Sequence, residues 1–528
     1  MKSFLYSVFS EFPKKLKTLS KTFNPREWII FGVLACILIV TSVSVLNALN
    51  RSLTVQVPAY GGTLEEGIIG TPRFVNPVLA FSDVDRDLVH LVYSGLMRHT
   101  DTGEIISDLA ESHTVSEDGL TYTFVIRDDA QFHDGKPVIS EDIVFTINRI
   151  KDPLTKSPRR PSFEGVEVTA IDERTVEFRL KQPFGAFLST MTIGILPSHL
   201  WMNVTADEFS FTDLNTDPVG SGPYKLISTN KKSGIPVEYK FRSFKDFTLG
   251  RPHIRTLVIH FFNSEKDVIN ALARGTIDSA SAISSGNAET LRQNDYRVET
   301  TLLPRIFAVF YNQNRNPIFR EKAVLEAFDM AINRDELVDT ILGGYGTPID
   351  SPLPSKEDTV ISFDPETAIS LLEKAEWKLN EEGIRQKTIS GEVRLLAFTL
   401  ATSDTPELAQ AAQKIEAQLL AIGAQVNVQL YDIGTLNQSV IRPREYESVL
   451  FGQVVTQESD LFAFWHSSQR NDPGLNIALY TNPRADQALE KTLVLSDPEE
   501  RLAQYEKFKT EIQSDRAALF LYAPDFIY

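Results

Sequence analysis

Cysteine is almost absent from this 528-residue chain, which contains only Cys36. A single thiol cannot form an intrachain disulfide or a cysteine-ligated zinc site, so a small disulfide-stapled scaffold is excluded. The remaining composition, 42% hydrophobic and 23% charged, is that of a globular protein and excludes a wholly disordered chain. The length corresponds to roughly three to five domain-sized units.

Basic residues are scarce outside the N-terminal segment. Residues 1–51 contain seven Lys or Arg and two Glu, whereas the other 477 residues contain 46 basic and 68 acidic side chains. A body this acidic repels a phosphate backbone, so nucleic acid is excluded as a partner.

Catalytic motifs are also lacking. The sequence contains no G-x-S-x-G elbow, no H-E-x-x-H pair and no G-x-x-x-x-G-K-[ST] phosphate loop. Pro223 directly after Gly220-Ser221-Gly222 argues against a nucleophile there, and His133-Asp134-Gly135 is typical of a turn. The eight histidines are scattered. We therefore predict a protein that is not an enzyme, with no cofactor, no metal site and no catalytic residue.

The sequence does contain one long apolar run. Residues 28–46 include no charged side chain, and this length is close to the roughly 20 residues with which a helix crosses a membrane. Five basic residues lie between positions 14 and 26, whereas only Arg51 follows closely. The positive-inside rule then predicts a single-pass cell-membrane protein with residues 1–27 in the cytoplasm and the acidic body outside.

Two other interpretations of this run remain open. A cleaved signal peptide fits the small residues near Ser44 and Ala48 loosely. A lipoprotein signal is indicated by Val33-Leu34-Ala35-Cys36, although the ten residues after Cys36 stay apolar and a lipidated cysteine normally begins a polar tether.

Alternating strand and helix patterns predict an α/β fold for the body. Residues 256–262 and 276–283 read as strands that flank a helix capped by Ser264 and stopped by Gly275. Residues 393–400 and 426–430 flank a second helix, which begins at Thr405-Pro406. Such units favour largely parallel sheets.

Several motifs make the body recognisable as a whole. The main ones are Tyr93-Ser94-Gly95-Leu96, Asp118-Gly119, Asp134-Gly135, Pro218-Val219-Gly220-Ser221-Gly222-Pro223-Tyr224 and Leu272-Ala273-Arg274-Gly275-Thr276-Ile277-Asp278. In this order they closely resemble the extracytoplasmic solute-binding proteins of peptide-type ABC importers, the oligopeptide, dipeptide and nickel-binding family (family 5). The resemblance covers nearly all of residues 54–528.

The resemblance implies a two-lobed periplasmic-binding-protein fold behind the N-terminal transmembrane helix. After a linker at residues 47–53, lobe I is expected at 54–304, with an extra subdomain at about 82–205, and lobe II at 305–517. Residues 518–528 would form a strand returning toward lobe I. Family members usually continue beyond it, which leaves open both a natural end at Tyr528 and a truncated one.

The resemblance also implies a ligand cleft between the lobes. Family members place a Trp and an Asp there, in a G-W-x-x-D segment that pairs with a peptide's ammonium group, but this chain has Gly452-Gln453-Val454-Val455-Thr456. Glu458 or Asp460 would have to substitute, and Arg305 would meet a ligand carboxylate. The full set of predicted ligand-binding residues is Arg73, Phe74, Tyr224, Arg305, Tyr311, Asn312, Glu458, Asp460 and Trp465.

By resemblance the chain would capture oligopeptides or dipeptides as the substrate-binding subunit of an ABC importer and deliver them to permease and ATPase subunits. Three alternatives remain open at the level of the sequence: a non-peptide solute, a sensor that keeps the binding fold, and a membrane-tethered hydrolase. No histidine cluster favours nickel.

Overall fold

The computed structural model describes residues 24–53, 57–100, 104–184, 187–353, 362–389, 391–455, 460–472, 474–495 and 497–528. Contacts divide the chain into two compact units, residues 1–60 and residues 61–528. The helices are α1 (Pro25–Leu53), α2 (Asp83–Val92), α3 (Ser140–Lys151), α4 (Phe187–Thr190), α5 (Ser198–Trp201), α6 (Glu265–Ala273), α7 (Ser285–Gln293), α8 (Lys322–Ala331), α9 (Arg334–Leu342), α10 (Pro365–Lys374), α11 (Pro406–Ala421), α12 (Ile433–Thr435), α13 (Asp460–Trp465), α14 (Pro483–Val494) and α15 (Pro498–Asp515).

The strands fall into five sheets. They are β1 (Gly61–Ile69), β2 (Met97–His99), β3 (Ile105–Ser107), β4 (Ala110–Val115), β5 (Thr121–Ile126), β6 (Glu167–Ala170), β7 (Thr175–Arg179), β8 (Tyr224–Lys232), β9 (Ile235–Ser243), β10 (Ile254–Phe262), β11 (Ser279–Ala280), β12 (Thr300–Leu302), β13 (Arg305–Tyr311), β14 (Gly346–Pro348), β15 (Lys378–Leu379), β16 (Arg385–Ile389), β17 (Glu392–Leu395), β18 (Ala397–Ser403), β19 (Gln425–Tyr431), β20 (Ser448–Val454) and β21 (Ala518–Ile527).

The described part of the first unit is dominated by α1. Pro25 occupies its first turn, and the Glu27 carboxylate accepts the backbone N–H of Asn24 at 2.8 Å, which satisfies a donor at the helix start. The helix continues through residues 47–53, where the sequence predicted a linker. It is long and apolar enough to cross a membrane, and no other helix in the described residues is.

The second unit contains the two lobes. We call residues 61–299 lobe I and residues 305–522 lobe II, with residues 300–304 and 523–528 connecting them. The lobe I sheet has the order β11-β1-β10-β9-β8, in which β1 runs parallel to β10 and β11. The predicted unit around α6 is present. Ser264 caps the helix, and Gly275 adopts a φ of +66° after it.

A subdomain of lobe I lies between β1 and β8 in the chain. Its four-stranded sheet has the order β4-β5-β7-β6, and α3 packs against β6 and β7. Phe124 and Phe178 on facing strands are fully buried with ring centroids 5.7 Å apart. One apolar cluster runs from these residues to Tyr239 and Phe261 in the lobe I sheet, so subdomain and lobe share a core.

Lobe II is built on a sheet of order β12-β21-β13-β20-β18-β19, with β14 paired to β21. The second predicted unit, β18-α11-β19, is parallel as expected, and α11 begins at Pro406. Thr405 precedes it but makes no side-chain capping bond. β21 runs antiparallel to β13, second from one edge of this sheet, and only its last residues reach lobe I, where Ile283 donates to the Ile527 carbonyl.

Candidate functional site

A cavity of about 400 Å³ lies between the lobes. Lobe I supplies one wall from α2, from the segment around Arg160–Phe163 and from residues 189–194. Lobe II supplies the other wall from α13 and α14. A ligand in this space would touch both lobes, as expected of a protein that closes on its ligand.

Local hydrogen bonds fix the lobe I wall. Ser82 caps α2 by accepting the backbone N–H of Asp85 at 3.1 Å, and the Asp85 carboxylate in turn accepts the N–H groups of Arg73 and Phe74 at 2.8 and 2.9 Å. Gly194 is required for close approach, because a Cβ at that position would lie 2.6 Å from the Cβ of Tyr93.

Tyr93 is the notable polar group on this wall. Its side chain lines the cavity, it is 3% exposed, and its hydroxyl has no hydrogen-bond partner among the described residues. Burial raises the pKa of this hydroxyl well above its ordinary value. It therefore stays protonated and can donate a hydrogen bond to a ligand.

The lobe I wall is cationic. Arg86 is tied to the Asp83 carboxylate and donates to the Phe81 carbonyl at 2.8 Å, whereas the Arg159 guanidinium makes no ion pair or side-chain hydrogen bond with the described residues. Desolvation lowers the pKa of His90, and nearby guanidinium groups lower it further, so this imidazole is neutral at pH 7.

The lobe II wall carries the opposite charge. Asp460 at the start of α13 lines the cavity beside Phe462 and Ala463. Asp460 was one of the two acids predicted to face the ligand. The other, Glu458, lies outside the described residues.

The other predicted residues lie away from this cavity. Tyr311 is packed at 4.7 Å against Phe319 in the lobe II core, and the buried Asn312 donates to the Arg444 carbonyl at 3.1 Å, so both have structural contacts. Trp465 is fully buried against Phe310 and Phe520, which makes it a core residue.

The remaining four sit in lobe I or at its boundary. The Tyr224 hydroxyl donates to the Ile254 carbonyl at 3.2 Å. The exposed Arg73 places its guanidinium 5.5 Å from the Phe74 ring, next to the cavity wall rather than on it. Arg305 is exposed at the start of β13.

Sequence reasoning missed most of the wall. Tyr93 belongs to a recognised motif, yet that motif was used only to identify the scaffold. Arg86, His90 and Arg159 belong to no motif. They lie on two separate segments that meet only in the folded chain.

A second cavity, of about 720 Å³, lies within lobe II at the carboxyl ends of β19 and β20. Its walls include the π-helical segment Leu436–Ile441, the end of β20 and residues 474–477. The carboxyl edge of parallel strands is where α/β folds commonly bind ligands. No three His, Cys, Asp or Glu side chains in the described parts of the chain are placed to hold a metal ion.

Comparison with known proteins agrees with this two-lobed architecture, which is that of the periplasmic binding proteins. The family model for bacterial extracellular solute-binding proteins, family 5, matches residues 104–473. The chain belongs to this family, whose members are extracytoplasmic solute-binding subunits of ABC importers and are not enzymes.

Individual relatives bind different solutes. The chain is 26% identical to the oligopeptide-binding protein AppA of Bacillus subtilis over 89% of this chain and 87% of AppA, and 26% identical to the glutathione-binding protein GsiB of Pectobacterium atrosepticum over 85% and 86%. The structure of NikZ from Campylobacter jejuni with Ni(L-His) superposes with a TM-score of 0.66 at 26% identity, covering 88% of this chain and 93% of NikZ. The structure of AppA with a nonapeptide gives a TM-score of 0.64, covering 89% and 95%.

Proposed function

We propose that the chain is the membrane-anchored substrate-binding subunit of an ABC importer for oligopeptides or dipeptides. It captures the peptide between its lobes and delivers it to a permease driven by ATPase subunits. The observation that carries the proposal is the inter-lobe cavity, with unpaired donors on the lobe I wall and a carboxylate on the lobe II wall. The oligopeptide-binding relative AppA supports the same solute class.

The charge distribution in the cavity suits the two ends of a free peptide. Arg159 and the Tyr93 hydroxyl can both donate to a carboxylate, and charge-assisted bonds of this kind are stronger than neutral ones. Asp460 on the opposite wall can accept from an ammonium group. A short peptide with free termini would therefore bridge the two lobes.

The helix α1 supports an uncleaved anchor. Its apolar side chains are exposed over the whole span, for example Leu38 at 67%, so an apolar surrounding such as a bilayer would cover them. The basic residues that precede it would remain in the cytoplasm and the lobes would lie outside. The mass of the protein purified from membranes tests this, because cleavage near Ala48 or lipidation at Cys36 would change it.

A binding measurement on the full chain in detergent tests the solute class. Peptides of two to eight residues are screened by thermal shift, since a ligand at 100 times its Kd stabilises the folded state by about 2.7 kcal/mol. We expect free peptides to raise Tm and peptides with a blocked N-terminus to do so less. Arg159→Gln should weaken binding roughly tenfold, whereas Arg160→Gln, whose side chain is not on the wall, should leave it unchanged.

A non-peptide solute rich in carboxylates is the second candidate. The lobe I wall carries two guanidinium groups against a single acid on the opposite wall, and the relative NikZ holds Ni(L-His). If a carboxylate or chelate raises Tm and none of the peptides does, the peptide assignment is overturned and this alternative is favoured.

A further inference from the structure

The second cavity holds a buried polar group that the proposed function does not use. Gln453 lies near the end of β20, opposite Ile306 of β13, and its side chain contributes to the cavity wall. It is 3% exposed, and neither its amide nitrogen nor its amide oxygen has a hydrogen-bond partner in the part of the chain that the structure describes.

An unpartnered buried amide is unfavourable. Leaving a buried donor or acceptor unsatisfied destabilises the folded state, and Gln453 leaves both kinds unsatisfied. A ligand bound in the adjoining cavity would supply the missing hydrogen-bond partners. Native proteins retain such groups mainly where function requires them.

The wall around Gln453 is held in place by the protein itself. The Arg444 guanidinium donates to the carbonyls of Ile441, Arg470 and Gly474 at 2.6 to 3.1 Å, which joins the π-helical segment to residues 470–474. Gly452 allows close packing, because a Cβ there would lie 2.8 Å from the Phe307 ring. The cavity is therefore preformed rather than a gap between loose loops.

We propose that Gln453 recognises an amide group of the ligand by donating to its carbonyl and accepting from its N–H. The inference rests on the proposed function, since it places part of a peptide in the second cavity. It names the recognised chemistry as a neutral amide, from the peptide main chain or from an Asn or Gln side chain.

The chemistry of the site selects this group. A carboxylate offers only acceptors and an ammonium only donors, so either would leave one atom of Gln453 unpaired. Phe451 and Phe464 line the cavity together with the charged residues Arg442, Arg444 and Asp472, so it is the pairing of both Gln453 atoms that selects the ligand group. An amide satisfies both atoms of Gln453 without bringing a charge.

Binding and stability of two variants of the full chain in detergent test the proposal. Gln453→Met keeps the length of the side chain but removes its hydrogen bonds. Gln425→Met is the matched control, because Gln425 is an exposed glutamine of strand β19 in the same sheet and does not line the cavity. The probes are Ala-Asn-Ala and Ala-Leu-Ala with free termini, and N-acetyl-asparagine amide, which has amides but no charge.

We expect Gln453→Met to bind the free peptides about tenfold to a hundredfold more weakly and to lose the response to N-acetyl-asparagine amide. The Tm of this variant without ligand should be unchanged or higher, because the unpaired amide is gone. Gln425→Met should match the wild type in both measurements.

Two results would overturn the inference. One is unchanged affinity for every probe in Gln453→Met. The other is a fall of several degrees in its ligand-free Tm, which would show that the amide has a partner, such as an internal water, in the unliganded protein. The proposed function is tested separately. If the wild type binds the blocked amide but no free peptide, peptide import is contradicted and the role of Gln453 is retained.

Discussion

Two segments of lobe I differ in what their polar groups contact. In residues 218–224, the N–H of Gly222 donates to the Val92 carbonyl at 2.8 Å, and the Gly222 carbonyl lies 3.0 Å from the His133 ring nitrogen Nε2. Residues 159–163 instead face the inter-lobe cavity, and Arg159 makes no ion pair with the described residues.

The contrast shows which kind of segment carries which role. Residues 218–224 form the motif by which the sequence is recognised, and they pack α2 against the lobe I sheet. Residues 159–163 match no motif and contribute the charge that a ligand would meet. In the proposed function, the motif residues shape the scaffold, with Tyr93 as the exception, whereas Arg159, which belongs to no motif, contributes charge to the cavity.

The largest effect is expected from Gly222→Ala. A Cβ at this position would lie 2.6 Å from the Val92 carbonyl carbon and 2.7 Å from the Tyr93 nitrogen, and backbone atoms on a packed helix end cannot move aside easily. We expect a loss of about 3 kcal/mol or more in the free energy of unfolding, measured with urea.

Gly286→Ala is the matched control for this change. This glycine lies in α7 with open space around its Cα, so alanine there should stabilise by about 0.5–1 kcal/mol. Equal effects of the two substitutions would contradict the packing role of residues 218–224.

A somewhat smaller effect is expected from pH, through His133. Burial lowers the pKa of this imidazole from 6.5 to about 4, and its Nδ1 accepts the N–H of Gly220 at 3.4 Å. The folded state keeps the ring neutral. Below pH 6.5 the unfolded chain therefore binds a proton that the folded chain does not bind. About 3 kcal/mol of stability, fully present above pH 6.5, should be lost as the pH falls to about 4.

Unfolding of His133→Gln at the same pH values separates this histidine from the many carboxylates that also titrate. The variant should be less stable than the wild type at pH 7, but its stability should fall less steeply between pH 6.5 and 4. Parallel pH profiles for the two proteins would rule out His133 as the cause.

The smallest effect is expected from Tyr93→Phe, which changes a residue that lines the inter-lobe cavity. The substitution removes an unpaired hydroxyl, so the free energy of unfolding should stay within about 0.5 kcal/mol of wild type or rise. Peptide affinity should fall roughly fivefold, as measured by calorimetry.

Tyr224→Phe should behave in the opposite way, because its hydroxyl bonds the Ile254 carbonyl away from the cavity. It should cost about 1 kcal/mol in stability and leave binding unchanged. If Tyr93→Phe destabilises the protein without affecting binding, its hydroxyl is structural.

The fold was largely predictable because its signals are local. Ser264 and Gly275 mark the ends of α6, and the alternation in residues 426–430 follows from burial of one face of β19. The length of one strand was predicted wrongly. Residues 276–283 were predicted to form a strand, but only Ser279–Ala280 pairs with β1. Pairing length depends on the partner strand, which a local pattern does not contain.

The site was less predictable because it is assembled from distant segments. Tyr311 and Trp465 were expected near the ligand, but large aromatic residues fill cores as readily as they line clefts, and both are buried here. Arg159 lines the same cavity as Arg86 and His90 of α2 only in the folded chain, because these residues are far apart in the sequence. Gln453 did carry a signal, namely its departure from the family pattern, but the sequence could not show that its amide is buried and unpaired.

The position of β21 has a consequence for how the protein folds. This strand lies between β12 and β13 in the lobe II sheet, although about 200 residues separate it from β13 along the chain. The sheet cannot be completed until residues 518–527 have been synthesised, and contacts of such long sequence separation form slowly. Lobe II therefore remains incomplete during most of synthesis, with one side of β13 unpaired until β21 has been added.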